Sequence, residues 1–298
     1  MYEEISRNKR NSLLLIAVFC LVVMGIGYLV SAATGSPAFL AAAFVFAVVF
    51  SLNGYYFGDR MVLLASRARE ADPVQYRQLY NVVEELTLAS GLPMPKLYII
   101  ADDDAPNAFA TGRDPEHASI AVTTALLERL NREELQGVLA HELSHVGNRD
   151  ILFATLVGVL VGIIALLCDF FLRYTFWGGG GRRNRSGGGG GGNTLILVAA
   201  LVLAVLAPIA AKLIQLAISR QREYLADAAG AKMTRNPEGL ARALEKIALS
   251  PGKLEAANRA TQHLYFVNPM MGLKGKQLSG LFSTHPPVEE RIKRLRGL

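Results

Sequence analysis

Cysteine and charged residues are both scarce in this sequence. The first shortage argues against disulfides and cysteine-based zinc sites, and the second argues against a soluble protein. The 298 residues include two cysteines, Cys20 and Cys168, and both lie inside apolar segments. Cysteines in such surroundings behave as small apolar side chains, so we expect neither a structural disulfide nor a zinc site built from cysteines. Charged residues make up 19% of the chain and hydrophobic residues 51%, with a mean hydropathy of +0.28. This is an apolar composition for a soluble protein, and it indicates membrane segments.

Two binding functions also lack their usual patterns. The net charge is +6, but the basic residues border apolar segments and form no stripe with interleaved aromatics, so we expect no nucleic-acid partner. Asp102, Asp103 and Asp104 are adjacent, but the pattern of a twelve-residue calcium loop does not surround them. We interpret these three aspartates as a solvated turn.

Four apolar segments indicate a multi-pass membrane protein. The first, Leu13–Ala33, has 21 uncharged residues, enough at about 1.5 Å per residue to cross a bilayer core. The second, Ala38–Leu52, follows a short neutral turn, which argues against a cleaved signal peptide. Basic residues flank the pair on both sides and predict a hairpin with both ends in the cytoplasm. These residues are Arg7, Lys9, Arg10, Arg60, Arg67 and Arg69.

The second pair of apolar segments is harder to place. Ile151–Leu167 and Thr194–Ile218 are joined by a glycine-rich linker at 174–193 that carries several arginines. If both segments crossed the membrane, these arginines would lie outside, against the positive-inside tendency. The sequence leaves open whether the pair crosses fully. The chain divides into a transmembrane hairpin at 1–60, a cytoplasmic catalytic region at 61–150, a second hydrophobic hairpin at 151–218 and a C-terminal catalytic region at 219–298.

Between the two hairpins the sequence predicts a helix and a small sheet. Asp72 and Pro73 are typical of a helix start, Val74 would lie on the apolar face of that helix, and Gly91 would end it. The segments 96–100 and 119–123 are typical of strands. A short extended piece is expected at 107–110, inside a loop.

A helix that begins at Asn131 carries the chemistry. Glu134 stands three residues after Asn131, which is the spacing of a capping box. Positions four apart share a helix face, so His141 and His145 point the same way and can bind one metal ion. Glu142 is one position round and can reach a water on that metal. This H-E-x-x-H pattern is typical of zinc proteases.

A catalytic zinc site usually has a third protein ligand and keeps one position for water. Glu223 and Asp227 stand four apart just after the last apolar segment. Glu223 can complete a set of two histidines and one glutamate, and Asp227 can accept the other ring N–H of a ligand histidine. Taken alone, the pair is better interpreted as a charged helix end in solvent. The upstream motif favours the ligand interpretation.

Several motifs together resemble the HtpX family of membrane zinc metalloproteases, which is related to the CAAX prenyl-protein endopeptidases. The basic amino terminus, the four apolar segments and the glycine-rich linker fit that family as well, so the resemblance covers nearly the whole chain. It implies a mainly α membrane protein with up to four transmembrane helices and a small β-sheet in a zincin-like catalytic domain. The motifs are HELSHVGNRD at 141–150, SRQREYLAD at 219–227, APNAFATG at 105–112 and STHPP at 283–287.

The resemblance also implies roles for single residues. It implies one Zn²⁺ per chain, bound by His141, His145 and Glu223, with Glu142 as the catalytic residue. It further implies an edge strand that lies beside the substrate. The residues of that strand are Asn107, Ala108, Phe109 and Ala110.

At the level of function, the resemblance implies an endopeptidase integral to the cytoplasmic membrane. Its site would face the cytoplasm, and it would clear misfolded or damaged membrane proteins alongside other quality-control proteases. A site-specific processing protease and a non-catalytic membrane scaffold with a structural zinc are the alternatives.

In the expected mechanism Glu142 transfers protons and the edge strand binds the substrate. Glu142 would take a proton from the zinc-activated water and return one to the leaving amine. The edge strand would bind the substrate backbone by strand addition, which predicts broad side-chain selectivity. A second donor to the oxyanion is usual, and the candidates are His285, Tyr224 and His263. A plain capping or packing role is an equal alternative for His285.

Overall fold

The computed structural model describes residues 2–102, 104–178, 206, 209, 220–249, 264–266 and 286–298. Helices dominate this part of the chain, which confirms the mainly α prediction. A short 3₁₀ turn spans Pro115–His117. In chain order the α-helices are α1 (Tyr2–Thr34), α2 (Ala38–Ala65), α3 (Arg77–Ser90), α4 (Thr124–Arg129), α5 (Arg132–Asn148), α6 (Ile151–Gly178), α7 (Arg220–Thr234), α8 (Pro237–Ala248) and α9 (Val288–Leu295).

Four strands form one mixed sheet. They are β1 (Arg69–Glu70), β2 (Lys96–Ile100), β3 (Ala108–Gly112) and β4 (Ala118–Thr123). Their order in the sheet is β1-β2-β4-β3. β2 runs parallel to β4, whereas β3 runs antiparallel to β4 and is an edge strand of this sheet. Both expected strands are present, and the extended piece predicted at 107–110 is a strand at 108–112.

The start of α3 differs from the prediction. The Asp72 side chain accepts hydrogen bonds from the N–H groups of Val74 and Gln75 at 2.7 and 3.0 Å, so it holds a local turn instead of capping the helix. The helix begins only at Arg77, and Val74 is 69% exposed instead of lying on the apolar face. The predicted end is confirmed, because Gly91 takes φ +71°, the left-handed backbone that glycine favours at a helix C-terminus.

The predicted capping box opens α5. The Asn131 side chain accepts the N–H of Glu134 at 3.0 Å, and the Glu134 carboxylate accepts the N–H of Asn131 at 2.9 Å. At the other end Arg149 takes φ +56°, and α6 leaves at 89° to α5. This left-handed residue ends α5 and turns the chain, so the end of α5 lies beside the first turn of α6.

Two of the described helices are long and apolar enough to cross a membrane, α1 over Ile5–Ala32 and α2 over Ala38–Ala65. α5 and α6 pass the same test only together, as a bent pair. Both helices contact β3, but α5 packs mainly against α3, α7 and α8, whereas α6 packs against α1 and α2. α6 is therefore the part of that pair able to face lipid. The predicted fourth segment at 194–218 lies outside the described residues except for positions 206 and 209.

Glycines bring α5 close to its two partner helices. A Cβ atom at Gly137 would lie 2.8 Å from the Cα and the N of Leu240 on α8. A Cβ atom at Gly230 on α7 would lie 3.0 Å from the N of His141. Because the obstructing atoms belong to backbone, a side chain at either glycine would push the helices apart. The two glycines thus set the distance between α5 and the helices that face it.

Candidate active site

The ligand atoms expected from the sequence converge at one point. The Nε2 atoms of His141 and His145 lie 3.1 Å apart, and the Glu223 carboxylate comes within 3.8 Å of each of them. Ligand atoms on a tetrahedral zinc with Zn–N near 2.0 Å are about 3.3 Å apart. The three side chains therefore fit one zinc ion after a small movement of Glu223. Within the described residues they are the one group of this kind that can hold a metal.

A carboxylate holds the other nitrogen of each histidine. His141 Nδ1 lies 2.9 Å from Oδ1 of Asp227, and His145 Nδ1 lies 3.0 Å from Oδ2 of Asp150. Such contacts fix the tautomer, leave Nε2 free for the metal and raise the basicity of the ligand. The sequence predicted that Asp227 would contact a ligand histidine, and the structure places it there. Both aspartates are buried.

Asp150 is a site residue that sequence reasoning missed. It stands five positions after His145, outside the helical spacing that links residues on one face. The left-handed backbone of Arg149 turns the chain so that Asp150 meets the ring. Its second oxygen, Oδ1, is buried without a hydrogen-bond partner in the described chain, and Asp150 lines the cavity beside the ligands. An acidic residue soon after an H-E-x-x-H run is the signal that could have found it.

Burial and neighbouring charges together set the pKa values of the site. Burial raises the pKa of the Glu142 carboxyl to about 7, with His145 opposing the rise and Glu223 adding to it. Burial lowers the pKa of His141 to about 4. Burial also acts to lower the pKa of His145, but Asp150 and the nearby glutamates outweigh it and raise that pKa to about 10. A carboxyl poised near neutral pH suits a group that takes up and returns a proton.

A second missed residue is Arg291 on α9. Its side chain is fully buried, and its Nε and Nη2 donate to the two carboxylate oxygens of Asp227 at 2.8 and 2.7 Å. Two acidic residues precede it and two basic residues follow it, a charged pattern that indicates a solvated helix. Only the packing of α9 against α7 reveals the contact.

The edge strand β3 borders the site, but part of its free edge is already used. The C=O of Ala108 accepts the N–H of Phe266 at 2.8 Å, and the Phe266 ring packs edge-on against His141 with the ring centroids 4.9 Å apart. The backbone N–H of Ala110 donates a hydrogen bond to the Glu142 carboxylate. Residues two apart on a strand face the same way, so the C=O of Ala110 points away from β4 as that of Ala108 does.

The other two residues of the expected substrate strand have local partners. Asn107 lies just before β3, and its Oδ1 accepts the N–H of Ala108 at 3.1 Å. Phe109 is fully buried, and its ring meets that of Tyr265 at a centroid distance of 5.0 Å. The substrate-binding role of this strand remains a prediction. Because the other three residues have partners, the backbone C=O of Ala110 is the group that we expect to contact the substrate.

One of the three candidates for a second oxyanion donor lies in the described chain. The Tyr224 hydroxyl is hydrogen-bonded to Glu290, and the Arg294 guanidinium lies 3.7 Å from the centre of its ring. Tyr224 also lines a different cavity from that of the ligands, so this arrangement does not favour the oxyanion role. His263 and His285 lie outside the described residues.

A metallopeptidase joined to membrane helices is the class that this site and fold define together. Residues 73–298 match the model of peptidase family M48, and the chain belongs to that family. Its relatives include a protein named as a protease HtpX homolog from Caldanaerobacter subterraneus subsp. tengcongensis, 47% identical over 100% of this chain and 98% of that protein. Another HtpX homolog, from Syntrophobacter fumaroxidans, is 46% identical over 97% of this chain and 98% of its own length.

A solved structure shares the fold. The crystal structure of S. mikatae Ste24p matches with a TM-score of 0.51 and covers 99% of this chain and 67% of that chain. The sequences are 19% identical, so the likeness concerns the arrangement of the helices and the sheet. The family model and the HtpX homologs, in contrast, confirm the family resemblance predicted from the motifs.

Proposed function

We propose that the chain is a zinc-dependent endopeptidase of the cytoplasmic membrane that cleaves misfolded or damaged membrane proteins. The observation that carries this proposal is the convergence of His141, His145 and Glu223 beside Glu142, on a cavity of about 50 Å³. Membership of the M48 family makes the chain a metallopeptidase, and the candidate spans in α1 and α2 make it a membrane protein. The substrates and the side of the membrane are the proposed part.

The donor set suits zinc, because imidazole and carboxylate groups bind it and three protein ligands leave a position for water. Zinc bound there supplies a Lewis acid for the scissile carbonyl and an acidified water. Glu142 takes a proton from the attacking water and passes it to the leaving amine as the C–N bond breaks. Asp227 and Asp150 keep the two rings oriented while this happens.

Substrate binding would use backbone groups more than side chains. The outward C=O of Ala110 lies on an edge strand next to Glu142, where an extended substrate can add as a further strand. The C=O of Ala108 already accepts from Phe266, and the N–H of Gly112 donates to the Thr155 hydroxyl at 3.3 Å. The substrate would therefore pair with the C=O of Ala110 or displace one of these contacts. Backbone pairing predicts broad side-chain selectivity, as clearance of damaged proteins requires.

The site lies at the base of the membrane helices, which suits substrates that emerge from the bilayer. The Thr111 hydroxyl on β3 and the Thr155 hydroxyl on α6 are hydrogen-bonded at 2.8 Å, so the edge strand is fixed to the first turns of an apolar helix. Basic residues on both sides of the α1–α2 hairpin support a cytoplasmic site. Partners would be unfolded or membrane proteins, the lipid bilayer and other quality-control proteases.

A scaffold with a structural zinc is the alternative from another class. Structural sites are closed by four protein ligands, whereas the described residues bring three ligands together. In a scaffold of this kind, Glu142 beside the metal ligands would have no role. A processing protease with one strict site is the alternative within the same class, and a survey of cleavage sites separates it from general clearance.

The decisive experiment compares wild type with Glu142→Gln and with the exposed control Glu116→Gln, all purified in detergent without chelator. Zinc is measured by elemental analysis, and cleavage is measured on casein and on a destabilised membrane protein in liposomes. We expect about one zinc per chain in all three proteins and cleavage by wild type and the control only. Zinc without cleavage in any of them favours the scaffold, and the absence of zinc from wild type refutes the site.

A further inference from the structure

We propose that Arg291 is a positioning residue of the metal site, which holds Asp227 in the orientation that fixes the ligand His141. The inference rests on the proposed zinc site and adds a residue from α9 to it. The site is then a product of three helices. α5 supplies the ligand, α7 supplies the carboxylate that orients it, and α9 supplies the cation that orients the carboxylate.

The contacts form a continuous chain from α9 to the metal ligand. Arg291 Nε donates to Oδ2 of Asp227 at 2.8 Å, and Nη2 donates to Oδ1 at 2.7 Å. The same Oδ1 lies 2.9 Å from Nδ1 of His141. A two-point contact of this kind fixes the plane of the carboxylate as well as its distance. Asp227 therefore cannot rotate about its side chain without breaking a bond to Arg291.

The burial of Arg291 shows that this contact is more than a surface ion pair. Arg291 is 0% exposed and Asp227 is 4% exposed, so water cannot replace either partner. Nη1 of Arg291 also lies 3.8 Å from Oε2 of Glu223, which places one guanidinium beside both acidic residues of α7. Removal of the cation would leave a buried carboxylate without its partner, which is strongly unfavourable.

A purely structural role is the competing explanation, since Arg291 also touches the segment 264–266. Its Nη1 lies 3.4 Å from the C=O of Phe266, and its guanidinium lies 4.7 Å from the centre of that ring. These contacts would tie α9 to the core without involving the metal. The two roles differ in one measurable respect, because only the contacts with Asp227 and with Nδ1 of His141, which lies 3.4 Å from Nη2, lead to the metal ligand.

The test measures zinc release from the full-length protein in detergent, by the rate at which a chromogenic chelator removes the metal. The variants are Arg291→Gln, Arg291→Lys, Asp227→Asn and the double variant Arg291→Gln/Asp227→Asn. Lys293→Ala is the matched control, because Lys293 is an exposed cation on the same helix. Circular dichroism and the melting temperature report whether each variant is folded.

We expect zinc release to be about 10- to 100-fold faster in Arg291→Gln, because loss of a partner behind a metal ligand usually weakens the affinity by that factor. Arg291→Lys keeps the charge but loses the two-point geometry, so it should recover only part of the loss. The double variant should release zinc no faster than Asp227→Asn alone, because both changes break the same chain of contacts. Lys293→Ala should match wild type.

Three results would overturn the inference. The first is a folded Arg291→Gln protein whose rate of zinc release stays within twofold of that of wild type. The second is additive losses in the double variant, which would mean that Arg291 acts independently of Asp227. The third is a lower melting temperature in Arg291→Lys with unchanged zinc release, which would assign Arg291 to packing alone. If wild type itself binds no zinc, the proposed function fails first, so the two failures are distinguishable.

Discussion

Two glycines of the metal helix should respond in opposite directions to the same substitution. Gly137 and Gly147 both lie within α5, where replacement of glycine by alanine normally stabilises a helix by about 1 kcal/mol. A Cβ at Gly137 would lie 2.8 Å from backbone atoms of Leu240. A Cβ at Gly147 would lie 3.5 Å from the Cδ1 of Leu92, which is an ordinary contact with a flexible side chain.

The magnitudes follow from these distances. Gly137→Ala forces α8 away from α5, and overpacking of this kind costs about 1–3 kcal/mol. The gain in helix propensity offsets about 1 kcal/mol of that cost, so the net change is a destabilisation of up to about 2 kcal/mol. Gly147→Ala keeps the propensity gain and should stabilise by up to about 1 kcal/mol. The gain in helix propensity is the same in both variants. The difference between their free energies of unfolding therefore measures the cost of overpacking at Gly137 alone.

Thermal unfolding followed by far-ultraviolet circular dichroism, at one scan rate in one detergent, measures the difference. At about 2–4 °C per kcal/mol for a domain of this size, Gly137→Ala should melt about 2–12 °C below Gly147→Ala. Zinc content should fall in Gly137→Ala only if the shift of α8 reaches the ligands. Equal melting temperatures would show that α8 can move freely, and the close packing of α5 would then not define the site.

Two further predictions concern Asp150 and pH. Asp150→Asn should weaken zinc binding about 10- to 100-fold, because the amide no longer offers His145 a charged acceptor. Asp72→Asn, at an exposed position, serves as the control. Equal rates of zinc release to a chelator in the two variants would refute the role of Asp150. The pKa of His145 is raised to about 10 in the metal-free chain, so at neutral pH zinc must displace a proton from it, and apparent affinity should rise with pH by about tenfold per unit between pH 6.5 and 8.5. Chelator competition at several pH values measures that slope, and a flat profile would contradict a protonated His145.

The sequence revealed the parts of the site that depend on local spacing. The capping box at Asn131 and Glu134, and the shared face of His141 and His145, follow from the geometry of one helix. Glu223 could be predicted because a pair of histidines requires a further ligand. In each case a residue and its partner are a few positions apart, or a chemical rule demands the partner.

The missed features depend on turns and on distant contacts. Asp150 reaches His145 because one left-handed residue turns the chain by about a right angle, and no periodicity of the sequence encodes that turn. Arg291 meets His141 across 150 positions, a separation over which the pattern of one segment says nothing about the other. The start of α3 was misplaced because an aspartate followed by proline is typical of both a helix cap and a turn. Burial and long-range packing decide such cases.

The contact between α5 and α7 also joins the two ends of the long stretch of chain that runs between them. His145 precedes the apolar stretch 151–218 and Glu223 follows it, yet the two side chains come within 3.8 Å. The three ligands can therefore meet only after the two ends of that stretch have come together. A chain in which α7 had not yet packed against α5 would keep its glutamate apart from its histidines. We expect zinc binding and hydrolysis only from chains in which this long-range contact has formed.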